Sequence, residues 1–263
     1  MRSEVKGSAA YYGVGSGHPE ENAPAVVFVH GAGFDHSVWV MPSRYFARHG
    51  MRVIAPDLPA HGRSEGPALE SIEAMADWVA ELVQQTIPAG VPVTLVGHSM
   101  GSLVVLCAAD RFPDRFVGVC LLGTSTPMPV GPPLLNAARD NHPAAYEMAN
   151  TWSHSTQGKL GAAQNPGMSN FMSGQRWLER MAEDAYHADL AACHNYERSR
   201  NPLPQRTLVL IGTEDKMTAP KAGLAAADLL GAEATVMLEG AGHAMLSEQP
   251  NEVLDALSDF ILR

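Results

Sequence analysis

Residues 93–102 read VTLVGHSMGS, and this stretch decides the fold class. It joins an apolar run of strand length to SLVVLCAADRF (102–112), which predicts a buried helix that stops at Pro113. Between them lies a G-x-S-x-G pattern with Ser99 at its centre. A serine at this position stands at the tip of a sharp strand-to-helix turn, and the two glycines let the strand and the helix approach closely. The stretch therefore predicts an exposed nucleophile at Ser99.

The alternation of apolar strands and helical patterns continues on both sides of this stretch. Strands are predicted at 25–29, 52–56, 116–123, 206–212 and 234–240, helices at 37–49, 72–87 and 252–262, and a hairpin turning at Lys6-Gly7 opens the chain. Strands that are apolar throughout favour a mostly parallel sheet covered by helices on both faces, which is the doubly wound α/β class. In this class the chemistry lies at the carboxyl ends of the strands.

One connection is too long for a plain crossover, because residues 124–203 separate two successive strands. It opens with the Pro-rich TSTPMPVGPP, closes with a Pro-rich turn at 201–204, and contains helical patterns that are clearest at 175–199. We expect a core formed by residues 1–123 and 205–263, with a helical cap inserted at 124–204. The methionines and tryptophans of this insertion either form its own core or line a pliable apolar substrate pocket.

A serine hydroxyl needs a base, and a histidine base needs a carboxylate to orient it. His243 follows the last predicted strand and precedes the last helix, so it lies at the same edge of the sheet as Ser99. Asp215 lies three residues after the 206–212 strand, with Glu214 as the alternative acid. The chain order is then serine, acid, histidine, which suits a serine nucleophile on this type of turn.

The oxyanion that develops during acyl transfer needs backbone N–H donors held in place beforehand. The residue after the nucleophile, Met100, provides one donor. The other is expected from the loop after the 25–29 strand, where Ala32 is the first candidate and Gly33 the second. We expect His30 to brace this loop by side-chain hydrogen bonds. Gly33, Phe34, His98 and Trp152 are the candidates for contacting substrate. The alternative for Gly33 is that it only makes a turn, and the alternative for the other three is a packing role.

Five segments together resemble the α/β-hydrolase superfamily: HGAGFDHSVW, DLPAHGRS, LVGHSMGS, GTED and AGHAMLSEQP. The resemblance covers roughly residues 20–123 and 205–262, and it implies an α/β-hydrolase fold with Ser99 as nucleophile, Asp215 as acid and His243 as base. It also implies oxyanion amides at Ala32 and Met100. DLPAHGRS resembles the superfamily's D-L-P-G-H-G-x-S loop, with Ala60 where glycine is usual, and we interpret that loop as mainly structural.

Departures from the superfamily's patterns narrow the choice of reaction. Relatives that displace halide or open epoxides use an aspartate nucleophile, whereas position 99 is serine. Carbon–carbon hydrolases of ring-fission products often have proline where this chain has Phe34, so that reaction is disfavoured but stays open. The sequence favours a serine hydrolase that cleaves a small to medium, mostly apolar carboxylic ester. Lactone, thioester or carbon–carbon hydrolysis and a non-catalytic ligand-binding role are the alternatives.

Composition excludes several other classes. The net charge is −10 and no Lys/Arg run occurs, so nucleic acid is a poor partner. No apolar stretch approaches the ~18 residues of a membrane span, and the N-terminus lacks the apolar segment of a secretory signal. Three scattered cysteines and the absence of H-x-x-x-H or H-E-x-x-H spacing argue against disulfides and metal. We expect a cytoplasmic monomer or homodimer that acts on a small molecule without cofactor or metal and does not bind membranes.

Overall fold

The computed structural model describes residues 1–161, 164, 169–182, 184–198 and 202–263. Within these ranges eight strands form one sheet in the order β1-β2-β4-β3-β5-β6-β7-β8. The strands are β1 Arg2–Val5, β2 Ser8–Gly13, β3 Ala25–Val29, β4 Arg52–Pro56, β5 Val93–His98, β6 Gly118–Leu122, β7 Arg206–Gly212 and β8 Ala234–Leu238. Strands β3 to β8 pair in parallel, and β1 and β2 add an antiparallel hairpin at the β4 edge. The fold is that of an α/β hydrolase, as the sequence predicts.

Helices fill the connections between the strands. The described helices are α1 Val40–Arg48, α2 Ile72–Thr86, α3 Met100–Arg111, α4 Pro132–Arg139, α5 Ala144–Ser153, α6 Thr156–Lys159, α7 Asn170–Leu178, α8 Ala185–Asn195, α9 Pro220–Leu230, α10 Met245–Glu248 and α11 Pro250–Ile261, and a short 3-10 helix at His36–Trp39 precedes α1. Ser71 caps α2 by accepting a hydrogen bond from the Ala74 amide at 3.1 Å, which satisfies one of the unpaired amides of the first turn.

The alternation of side chains along the central strands divides the core into two layers. Val27 and Val29 of β3 pack into the layer that includes α2 and α3, whereas Val26 and Phe28 pack into the layer that includes α1 and α11. All five residues of β3 are buried. Each fully buried side chain of this size contributes about 1.5–3 kcal/mol of hydrophobic stabilisation, which explains why the central strands are apolar throughout.

The connection between β6 and β7, residues 124–204 (the helical segment), contains helices α4 to α8. A third apolar cluster joins Leu134, Ala149, Leu178 and Leu190 of this segment, with Ala32 of the main body packed against it. The helical pattern at 175–199 is divided between two helices, because α7 ends at Leu178 and α8 begins at Ala185, directly after Asp184 with its left-handed φ of +64°. Residues 162, 163, 165–168, 183 and 199–201 of the predicted insertion lie outside the described residues.

A further difference from the sequence prediction is a helix. Helix α9 was not predicted, although Pro220 at its start and Gly231 after its end, with a left-handed φ of +66°, are typical helix signals. Ala60 also takes a left-handed φ, +66°. Glycine adopts this conformation without strain, and this accounts for the glycine that is usual at this position of the D-L-P loop.

Candidate active site

Ser99 stands on the strand-to-helix turn between β5 and α3, with φ +54° and ψ −122°. This is a strained conformation for a residue with a side chain, and such strain is concentrated at functional sites. The turn is possible because of the two flanking glycines. A Cβ at Gly97 would meet the carbonyl oxygen of Gly101, and a Cβ at Gly101 would meet the carbonyl oxygen of Val29. Glycine is therefore required at both glycine positions of the G-x-S-x-G pattern.

His243 and Asp215 are brought together from the loops after β8 and β7. The Nδ1–H of His243 donates to Oδ2 of Asp215 at 2.8 Å, and each residue is 4% exposed. Because a carboxylate only accepts, this bond places the ring proton on Nδ1 and leaves the lone pair on Nε2. A Cβ at Gly123 would lie 3.0 Å from the His243 ring, so the end of β6 also limits where the imidazole can lie.

Four donors hold the Asp215 carboxylate. Oδ1 accepts from the amides of Met217 and Thr218, both at 2.8 Å, and Oδ2 accepts from the Thr218 hydroxyl at 2.7 Å in addition to His243. Burial by itself would raise the pKa of Asp215, but His243 and the Thr218 hydrogen bonds outweigh it and lower the pKa. The carboxylate is therefore ionised at neutral pH and can stabilise a positive charge on His243.

Ser99 and His243 line the same cavity, which has a volume of about 480 Å³. Ala32, Phe34 and Trp152 line it as well. Most of its other lining residues belong to the helical segment, and they are mainly apolar: Met128, Pro129, Val130, Gly131, Leu134, Ala149, Ser153, Leu178, Tyr186, Leu190 and Cys193. A mainly apolar cavity of this size with a few polar groups at one point is typical of small-molecule sites.

The loop after β3 lies directly against the nucleophile turn, since a Cβ at Gly31 would lie 3.1 Å from the Cβ of Ser99. His30 braces this loop as expected. Its Nδ1–H donates to the Gly31 carbonyl at 2.9 Å, and its Nε2 accepts from the Leu58 amide at 3.1 Å. Burial and the neighbouring His61 lower the pKa of His30 to about 4, so this ring is neutral.

Of the two residues whose amides are expected to bind an oxyanion, Met100 follows Ser99 directly and Ala32 lines the same cavity as Ser99. None of the hydrogen bonds among the described residues uses the Ala32 N–H. Met100 is the first residue of α3, and the first amides of a helix have no acceptor within the helix. The Gly33 amide, in contrast, donates to Oδ2 of Asp189 at 3.0 Å.

Two of the candidates for contacting substrate and the alternative acid lie outside the lining of the Ser99 cavity. Gly33 lines a neighbouring cavity of about 400 Å³ rather than the cavity of Ser99. His98 is buried, its Nε2–H donates to the His243 carbonyl at 2.9 Å, and it lines a third cavity of about 240 Å³ with Phe34. Burial and His243 lower the pKa of His98 to about 3. Glu214, the alternative acid, accepts instead from the Thr156 amide at 2.9 Å.

Sequence reasoning missed three polar residues around this site. Thr218 follows Asp215 by three residues, a local spacing that could have indicated its hydrogen bonds. Glu248 accepts from the amides of Gly242 and Ser155, at 2.6 and 2.8 Å, and so joins the His243 loop to the helical segment. Asp189 binds Gly33 across 156 residues of sequence. No sequence signal marks the last two contacts, because they join segments that are remote in the chain.

Two further observations concern metal binding and membrane-spanning helices. Asp35, His36 and Asp57 bring three possible metal-ligand atoms within 4.8 Å of one another. Both Asp57 oxygens are already used as acceptors, Oδ1 by the amide and the ring of His36 and Oδ2 by the Arg63 amide, so the cluster is a hydrogen-bonded loop closure. Among the helices of the described ranges, none is both long and apolar enough to span a bilayer.

The sheet order, the serine turn and the loops at the carboxyl edge define an α/β protein of the hydrolase class. A family model described as "Alpha/beta hydrolase family" matches residues 26–256, and the chain belongs to this family.

Individual relatives agree with this assignment. The (E)-2-((N-methylformamido)methylene)succinate hydrolase of Acinetobacter baylyi is 35% identical over 108 residues, covering 41% of this chain and 38% of that protein. The chain spans between 38% and 55% of the length of the first curated relatives it matches. An enol-lactonase from Burkholderia xenovorans LB400 superposes with a TM-score of 0.87 at 22% identity, covering 100% of both chains. A thermophilic esterase superposes with a TM-score of 0.83 at 23% identity, covering 100% of this chain and 96% of that one.

Proposed function

We propose that this protein is a serine hydrolase that cleaves a small to medium, mostly apolar carboxylic ester through an acyl-enzyme intermediate. The single observation that carries the proposal is the 2.8 Å bond from His243 to Asp215 beside a cavity that His243 shares with Ser99. A nucleophile, a base with a defined tautomer and a buried carboxylate are the groups that acyl transfer to water requires.

In this mechanism the Ser99 hydroxyl attacks the ester carbonyl while Nε2 of His243 takes its proton. The tetrahedral intermediate collapses when the imidazolium gives this proton to the leaving alcohol, and the acyl group stays on Ser99. Water then attacks the acyl-enzyme with His243 again as base. The second tetrahedral intermediate collapses when the imidazolium returns this proton to the Ser99 oxygen, which breaks the bond to the acyl group and releases the acid product. Asp215 keeps the Nδ1–H tautomer and stabilises the imidazolium in both halves of the reaction.

The amides of Ala32 and Met100 are proposed to bind the oxyanion of both tetrahedral intermediates. The support is the position of the Gly31 backbone against Ser99 and the unused Ala32 amide among the described hydrogen bonds. Such donors act where charge develops in the transition state, and losing one lowers kcat by about 10²–10³-fold.

The substrate class follows from the lining of the cavity. Met128, Leu134, Trp152 and Leu190 of the helical segment present apolar surface to the space next to Ser99. We propose that residues 124–204 are a cap that completes the binding site, and that the acyl or alcohol part of the ester packs against it. The esterase and the enol-lactonase with a similar fold agree with this chemistry, and they make a lactone the natural competitor in a test.

The test combines labelling with a substrate panel. The wild-type protein and Ser99→Ala are incubated with a fluorophosphonate probe, and both are assayed with p-nitrophenyl esters from acetate to decanoate and with γ- and δ-lactones. We expect labelling of the wild type alone, turnover with a short or medium chain optimum, and loss of nearly all turnover in Ser99→Ala. Labelling without ester turnover would favour lactone or carbon–carbon hydrolysis, and no labelling would favour a binding protein.

A further inference from the structure

A buried carboxylate of the helical segment reaches the loop that carries Ala32. Asp189 lies in α8 and is 0% exposed. Its Oδ2 accepts two hydrogen bonds, one from Nε2–H of His61 at 2.9 Å and one from the Gly33 amide at 3.0 Å. One oxygen atom therefore joins α8 to the D-L-P loop and to the loop after β3.

The contact between Asp189 and His61 is ionic. Nδ1–H of His61 donates to the Pro59 carbonyl at 3.0 Å, so a hydrogen bond from Nε2 as well requires both ring nitrogens to carry protons. Burial by itself would lower the pKa of His61, but Asp189 outweighs it and raises the pKa to about 9. A buried charge pair of this kind holds its elements in one arrangement, because separating the partners leaves an uncompensated charge in the interior.

These contacts fix the backbone on both sides of Ala32. The peptide group that carries the Ala32 N–H also carries the Gly31 carbonyl, which accepts from His30 at 2.9 Å and from the Phe34 amide at 3.2 Å. The next peptide group carries the Gly33 N–H, which Asp189 binds. Both dihedral angles of Ala32 are therefore determined by hydrogen bonds.

The helical segment also lies close to the Gly33 end of the loop. Gly33 has φ +77°, and a Cβ there would lie 2.7 Å from Cδ2 of Leu178 and 2.9 Å from Sδ of Met181. The helical segment thus packs directly on this glycine. Asp189 supplies the polar contact within this apolar cover, and its partner amide belongs to the residue next to the proposed oxyanion donor.

We propose that Asp189 is a positioning residue, which holds the Gly33 amide so that the Ala32 N–H is presented to the oxyanion beside Ser99. This inference rests on the proposed function. The oxyanion forms only in the transition state, so the contribution of Asp189 appears in kcat and in the affinity for transition-state analogues. Binding of the substrate in its ground state does not depend on it.

The experiment compares Asp189→Ala and Asp189→Asn with the wild type and with a matched control, Asp110→Ala. Asp110 is also a carboxylate that fastens the chain near α8, through two bonds to Arg198 at 2.6 and 2.8 Å, but it lies at the far end of α3 from Ser99. For each protein, kcat and KM are measured on the best p-nitrophenyl ester. Three further quantities are measured for each protein. They are the inhibition constant of a matching trifluoromethyl ketone, which is a transition-state analogue, the dissociation constant of an unreactive amide analogue, which reports ground-state binding, and the melting temperature.

We expect Asp189→Ala to lower kcat about 10- to 100-fold, because a misplacement of about 1 Å in an active site has effects of this order. The inhibition constant of the ketone rises by the same factor, while KM and binding of the amide change less than threefold. Asp110→Ala keeps kcat, KM and ketone binding within threefold of the wild type. We expect the kcat of Asp189→Asn to lie between those of Asp189→Ala and the wild type. The asparagine oxygen still accepts from the Gly33 amide, but the substitution removes the negative charge opposite His61.

Three results would overturn the proposal. The first is an unchanged kcat in folded Asp189→Ala. The second is an equal loss of affinity for the ketone and for the amide analogue in that variant. The third is a loss of kcat in Asp110→Ala that equals the loss in Asp189→Ala. If Asp189→Ala does not fold, the similarly sized Asp189→Leu, which has no acceptor for the Gly33 amide, decides, and an unchanged kcat in that variant contradicts the proposal. A wild-type protein that is neither labelled at Ser99 nor active on any ester contradicts the proposed function instead, so the two failures are distinguishable.

Discussion

Replacing Asp215 by asparagine should inactivate the protein by reversing the tautomer of His243. The two backbone amides of Met217 and Thr218 both point at Oδ1, so the asparagine oxygen takes that side. The NH₂ group then faces His243 at the Oδ2 position and donates to Nδ1. The ring proton moves to Nε2, the atom that accepts the proton of the Ser99 hydroxyl in the proposed mechanism.

The expected loss in kcat follows from losing the base while the rest of the site stays in place. A serine hydrolase whose histidine is held in the wrong tautomer loses about 10⁴-fold in kcat, which corresponds to roughly 5 kcal/mol of transition-state stabilisation. Because the two backbone donors keep an acceptor, we expect the urea midpoint to change little. The assay is kcat on the best p-nitrophenyl ester, with Glu214→Gln as the matched control. Glu214 contacts the Thr156 amide and not His243, so the control should stay within threefold of the wild type. A folded Asp215→Asn within tenfold of the wild type, or a larger loss in Glu214→Gln, would refute this reasoning.

Three further predictions concern stability, the base and the cavity. The pKa of His61 is raised to about 9 in the folded state, so the pair with Asp189 contributes fully below the unfolded pKa of about 6.5 and is lost as the pH rises towards 9. Urea unfolding should show a decrease of about 3 kcal/mol between pH 6 and 9.5 that Asp189→Asn does not show. Gly123→Ala should cost about 1–2 kcal/mol for the left-handed φ of +55°, measurable by urea unfolding, and lower kcat because its Cβ lies 3.0 Å from the His243 ring. Trp152→Ala should enlarge the cavity next to Ser99 and shift the optimum of the p-nitrophenyl ester series to longer chains; an unchanged optimum would place Trp152 outside the acyl site.

The sequence predicted the fold and the candidate nucleophile, acid and base because their signals are local. Each of these residues follows a strand of the parallel sheet, and parallel strands end at one edge. This rule predicts that Ser99, Asp215 and His243 lie on the same side of the sheet. The 2.8 Å contact of Asp215 with His243 and the shared cavity of Ser99 and His243 agree with it. Helix α9 had helix-end signals at Pro220 and Gly231 and could have been predicted from them.

The contacts between the helical segment and the site could not be predicted in the same way. Asp189 looks from the sequence like any polar residue of a helix, and its burial depends on α8 packing against two loops of the main body. Glu248 is similar, because its partner Ser155 lies 93 residues away. Such pairs are set by how the elements dock, and one sequence contains no pattern that specifies the docking.

The helical segment is fastened on both sides of the proposed site, and this has a consequence for how the site works. On one side Asp189 holds the Gly33 amide next to Ala32. On the other side Glu248 joins the amide of Gly242, the residue before His243, to the segment, and the Ala244 amide donates to the Ser153 carbonyl at 2.8 Å. In the proposed mechanism the segment therefore positions the base and the oxyanion loop as well as lining the cavity. Because the same helices do both, changes that adapt the lining to another substrate also act on the positions of the reacting groups.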